Sequence, residues 1–140
     1  MKTILKVFIV AFIATSCSSD DDTGTAFELS KANLTGTWTQ TKVTGSNGIE
    51  NPVSCDGTTA TLRFFEQGNA IGQVVDPSTP CSINEIDFKS YSIDANSITL
   101  LGAEPPTDPE RVKFNVLEFS ANNLVIEGVE NDDTTQTYSR

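Results

Sequence analysis

From Gly36 onward the chain never runs far without a breaker. Short stretches rich in Thr, Val, Ile and Phe are cut again and again by Gly, Asn, Asp and Pro. β-Branched and aromatic residues suit a pleated, half-buried surface, while the breakers suit tight turns. The pattern therefore predicts strands near residues 36–45, 58–66, 69–75, 86–93, 97–101, 111–119, 122–128 and 133–139. Between them lie turn sequences such as Gly45-Ser46-Asn47-Gly48, Gln67-Gly68-Asn69, Asp94-Ala95-Asn96, Ser120-Ala121-Asn122-Asn123 and Asn131-Asp132-Asp133. Most of these connections are short, which favours an antiparallel meander of neighbours over long crossings. The fold class is all-β.

Alternation within the runs assigns an inward face. Leu62 and Phe64 share a side, as do Tyr91 and Ile93, Ile98 and Leu100, Phe114 and Val116, and Leu124 and Ile126. At Val116-Leu117 the parity slips, and Leu117 and Phe119 take over the other side. A bulge there, or a strand covered on both faces, accounts for the slip. Ahead of the first strand, Leu29-Ser30-Lys31-Ala32-Asn33 predicts one helical turn capped near Ser30. The chain shows no internal repeat and no glycine-rich nucleotide loop.

The first residues have a different character. Lys2 and Lys6 precede an uninterrupted apolar stretch at 7–14, which reads as a secretory signal. It is too short to cross a bilayer, which takes about 20 residues. The stretch ends in Ala14-Thr15-Ser16-Cys17, which resembles the lipobox of bacterial lipoproteins, with Ala14 where leucine is usual. The resemblance implies removal of residues 1–16, diacylglycerol on Cys17 and acylation of the new amino terminus. Ser18-Ser19-Asp20-Asp21-Asp22 follows. Physically it is a solvated acidic tether, held extended by repulsion between like charges. It also resembles the export signal of Bacteroidota surface lipoproteins. The expected organisation is thus a signal over 1–16, a tether over 17–27 and one domain over 28–140. The expected location is the outer membrane, lipid-anchored and facing the cell exterior, with the periplasmic face as the alternative.

Charge and cysteine content narrow the classes of function. The full chain carries a net charge of −10, with 9 basic and 19 acidic residues. Loss of Lys2 and Lys6 with the signal makes the mature chain about two charges more acidic. Such a balance argues against nucleic acid and anionic lipid surfaces as partners. There is no histidine, which excludes histidine-based triads and His-type zinc sites. The Asn131-Asp132-Asp133 turn lacks the spacing of a calcium loop. No metal or cofactor is expected. Cys55 and Cys81 flank a turn centred on Gly68, so a hairpin folded there brings them together. In an exported chain this predicts a disulfide stapling one hairpin, worth about 3–4 kcal/mol in chain-entropy estimates. Two free thiols are the alternative, without basic neighbours to activate either.

Leu34-Thr35-Gly36-Thr37-Trp38 places a Gly-x-Trp motif after the helical turn, at the start of the first of about eight strands. The arrangement resembles lipocalins, and more closely the lipocalin-like domains of Bacteroidota lipoproteins, over residues 29–140. It implies an eight-stranded antiparallel up-and-down barrel with a short N-terminal helical turn. It further implies that Gly36 and Trp38 close one end and that Arg140, from the last strand, packs across the indole. Such a contact contributes about 0.5–2 kcal/mol. The plainer alternative makes Trp38 a core residue and Arg140 a solvated chain end. Eight strands leave an interior that is either filled by side chains or open to one small ligand. Phe64, Tyr91, Ile93, Ile98, Leu100, Phe114, Leu124 and Ile126 are bulky enough to fill it, whereas Ala70, Gly72 and Gly128 leave room. An immunoglobulin-like sandwich is disfavoured by a tryptophan on the first strand and by a disulfide within one hairpin.

Two functions follow. The first is a non-enzymatic, monomeric, membrane-anchored module that binds a small, partly apolar ligand, with Trp38, Phe64, Tyr91, Phe114 and Tyr138 lining the site. Those five are otherwise simply core. The second is a solid barrel that contacts a protein or glycan through acidic loops. Glu104-Pro105-Pro106-Thr107-Asp108-Pro109-Glu110 leads these, since prolines reduce the ordering cost of binding. Hydrolysis by a carboxylate pair has no pair that the sequence assigns to one cleft, and no catalytic residue is expected.

Overall fold

The computed structural model describes residues 27–76, 78, 81–102, 111–129 and 134–140. The signal, Cys17, the tether up to residue 26, the loop over 104–110 and the turn over 131–133 lie outside the described residues. One helical turn, α1 (Lys31–Leu34), precedes eleven strands. These are β1 (Gly36–Thr44), β2 (Glu50–Asn51), β3 (Ser54–Cys55), β4 (Thr58–Thr59), β5 (Thr61–Phe64) and β6 (Ala70–Asp76). They continue with β7 (Ser82–Asp94), β8 (Ser97–Gly102), β9 (Arg111–Phe119), β10 (Asn123–Val129) and β11 (Thr135–Ser139).

Eight strands, β1 and β5 to β11, pair antiparallel in chain order, and the last returns to the first. Thr39 stands opposite Ser139 and Gln40 opposite Tyr138, which closes the sheet into a barrel. Closure gives every wall strand a partner on both sides over at least part of its length, which leaves only short edges to recruit another chain. Ser30 caps α1 as its residue type suggests, its side chain accepting the Asn33 amide at 3.3 Å.

Bulges keep the apolar residues inward where simple alternation fails. In β9 Leu117 is the extra residue, since Val116 pairs with Ile126 and Glu118 with Val125. Leu117 is pushed out to 56% exposure, while Val116 and Phe119 both pack on the core. In β7 the register shifts between Phe88 and Ser90, and in β1 between Gln40 and Lys42. The first shift puts Phe88 inside with Tyr91 and Ile93, and the second puts Val43 on the same side as Gln40.

The run at 58–66, for which composition predicts one strand, is divided into β4 and β5. It breaks at Ala60, fully buried, whose amide donates to Val53 O and whose carbonyl accepts from the Gln40 amide, both at 2.9 Å. Upstream of this point the chain forms a small ribbon, β3 with β4, separate from the barrel sheet. Cys55 and Cys81 are bonded, with Cα atoms 5.9 Å apart. The bond does not staple the hairpin at Gly68. It ties the ribbon to the residue just ahead of β7. The reason is the early end of β5, which sends Cys55 out of the hairpin. The residues bridged are 26 apart in sequence, a closure worth about 3–4 kcal/mol in the entropic account.

Candidate ligand-binding site

The two ends of the barrel differ. At one, Leu34 from α1 and Trp38 from β1 are fully buried, and the indole Nε1 donates to Leu34 O at 2.8 Å. The Arg140 guanidinium lies 4.3 Å from the centre of the indole. Its Nε donates to Ala121 O at 2.6 Å and its Nη1 to Thr35 O at 3.2 Å. Gly36 holds φ at +131°, a value that favours glycine, and a Cβ there would meet Arg140 Nη1 at 3.6 Å. Beneath this cap Phe64 meets Tyr91 edge-on at 5.0 Å, and the Tyr91 hydroxyl donates to Phe65 O at 3.2 Å. This end is sealed.

The other end is hollow. A cavity of about 200 Å³ is walled by Leu62, Phe88, Leu100, Val112, Phe114 and Tyr138. Gly72, Gln73, Val74, Ile86 and Gln136 complete its lining. Ladder pairing of Ala70 with Phe88, Gly72 with Ile86 and Val74 with Asn84 puts these residues on one face, that of the buried Ala70 and Phe88. Yet Val74 is 47% and Ile86 42% exposed, as expected of apolar side chains around an unfilled opening. Gly72 matters to that space. A Cβ there would come within 3.2 Å of the Phe88 ring, so glycine lets the ring lie against the wall.

A recess of about 360 Å³ adjoins the cavity and shares Val74 and Gln136 with it. It exists because β5 is short: its last partner on β1 is Thr39 and its last on β6 is Gly72. Beyond those positions β6 has no partner on that side and β1 pairs only with the two-residue β2, and Gln40, Val43, Asn51, Pro52, Val75 and Thr134 border the gap. Its floor is a hydrogen-bonded cluster. Tyr138 OH donates to Gln136 Oε1 at 2.6 Å, and Gln40 Nε2 donates to Tyr138 OH at 3.1 Å and to Gln136 Oε1 at 3.3 Å. Gln136 Nε2 donates to Thr134 Oγ1 at 3.3 Å. Among the described residues, no Asp, Glu, Lys or Arg lines the cavity or the recess, and no group of His, Cys, Asp and Glu is placed to hold a metal. A third, wider hollow of about 640 Å³ lies beside the plug, among Phe27, Leu29, Ile93, Val116, Leu117 and Phe119.

The five aromatics singled out in the sequence thus divide. Phe114 and Tyr138 line the cavity, whereas Trp38, Phe64 and Tyr91 belong to the sealed end. Phe88 escapes a reading by alternation, because the bulge beside it inverts its parity. Gln40 and Gln136 were hidden for another reason: a glutamine on a strand reads as an outward residue unless closure of the barrel is known.

No family model and no curated protein matches the chain. Solved structures do. A lipocalin-like protein from Bacteroides uniformis superposes with a TM-score of 0.56 at 13% identity, covering 77% of this chain and 98% of that one. An uncharacterized protein from Bacteroides eggerthii gives 0.56 at 11% identity, covering 76% and 99%. The fold is lipocalin-like. At these identities the likeness concerns the fold alone.

Proposed function

We propose that this protein is a membrane-anchored, non-enzymatic binding module that holds one small, largely apolar molecule in the open half of its barrel. The observation that carries the reading is the unfilled mouth. Val74 and Ile86 face inward beside an apolar cavity, yet stay nearly half exposed. Such surface gains by being covered, at about 25 cal/mol per Å². The cavity falls below the ~300–1,000 Å³ of drug-sized sites, which suits a small ligand. Anchoring rests on the lipobox-like Ala14-Thr15-Ser16-Cys17, and display at the cell exterior on the acidic run after it.

Titration of the mature domain with N-phenyl-1-naphthylamine, a neutral fluorophore, tests the pocket. Saturable one-to-one uptake is expected in the wild type and not in Val74→Trp, whose indole fills the mouth from a half-exposed position. A well-folded barrel with no saturable uptake refutes the reading. For the anchor, intact-mass measurement of membrane-extracted protein should show acyl chains that Cys17→Ala abolishes.

A further inference from the structure

We infer that the recess in the barrel wall is a head-group site, and that the ligand is an uncharged amphiphile whose hydrogen-bond donor sits on the side-chain carbonyl of Gln40. This rests on the proposed binding function and gives it a chemical class.

Gln40 is 5% exposed and borders the recess. Its Nε2 is committed to Tyr138 and Gln136. Its Oε1 receives no donor among the described residues, although no fully buried side-chain polar atom there is unpaired. The oxygen therefore reaches the recess, as an acceptor held in place by the bonds its own amide makes. A hydroxyl, phenol or amide N–H satisfies it, whereas a hydrocarbon leaves it unmatched. A carboxylate brings a charge and no donor, and the described lining offers no counter-charge. The Lys42–Glu50 ion pair, at 2.7 Å, is exposed and already matched. Gln136 borders both hollows, so one molecule can run from the recess into the barrel. The 200 Å³ cavity accommodates roughly ten non-hydrogen atoms at interior packing density.

Calorimetric titration of the mature protein with 4-propylphenol, propylbenzene and 4-propylbenzoate tests the assignment, since the three share their apolar body. 4-Propylphenol is expected to bind at least tenfold more tightly than propylbenzene, with 4-propylbenzoate weaker than the phenol. Gln40→Leu should shrink the preference for phenol over propylbenzene to under threefold. Pro52→Trp, which fills the recess from an exposed position and leaves the Gln40 side chain in place, should do the same and covers the case in which Gln40→Leu misfolds. Equal affinity of phenol and propylbenzene in the wild type overturns the head-group site and leaves the barrel pocket standing. Tighter binding of the benzoate overturns the uncharged class. Failure of all three to bind a folded protein overturns both readings.

Discussion

Arg140 shows how much a single side chain does at the sealed end. Its guanidinium covers the Trp38 ring and donates to the carbonyls of Ala121 and Thr35, so it joins α1, β1 and the β9–β10 turn. Arg140→Ala should destabilise the barrel by about 1–2 kcal/mol in urea unfolding, the sum of a cation–π contact and modest exposed hydrogen bonds. Arg140→Lys should recover only part, because an ammonium cannot lie flat on the indole and bond sideways at once. At the far end of β6, Asp76 accepts the Ser78 amide at 2.9 Å, which holds its carboxyl below the usual 3.8. A depressed folded value means the bond's contribution is complete above the unfolded pKa and fades as pH falls through the lower one. An NMR titration should place the Asp76 midpoint below 3.8, with the Ser78 amide shift tracking it.

Strands with strict alternation were legible in the sequence and strands with bulges were only half so. β8 and β10 follow the inward sets Ile98 with Leu100 and Leu124 with Ile126, all almost fully buried. β9 could be located but not oriented past Val116, since an extra residue and a strand buried on both sides leave the same trace in one chain. The pairing resolves it, and it makes Leu117 dispensable. Deleting Leu117 should leave a folded barrel with a midpoint within a few degrees of wild type, because regular alternation then carries Phe119 inward. Deleting Val125 from β10 should abolish cooperative unfolding by circular dichroism, since it sends Leu124 or Ile126, each 0% exposed, to the outer face. Where β5 stops was not legible. The break at Ala60 depends on backbone bonds to Val53 and to Gln40, neither of which alternation within the run reveals. The recess created by that break, and with it half of the candidate site, was invisible for the same reason.

At the scale of the molecule, closure joins the two ends of the chain: Gln40 and Tyr138, bonded in the interior, are 98 residues apart. Contacts of such range slow folding, because a large loop must be ordered before they form. A chain cut before Thr135 loses the ladder from β11 to β1 and that from β11 to β10 together. It should aggregate, with dye uptake that never saturates, since two long edges are bared. At the opposite extreme of the axis lies a simpler outcome. The Phe27 ring rests 5.1 Å from Phe119, itself 5.9 Å from Trp38, so the described chain enters beside the same plug on which Arg140 leaves it. Both handles are on the stoppered side. Fastened to a bead or a chip by either one, the cup keeps its rim clear of the point of attachment.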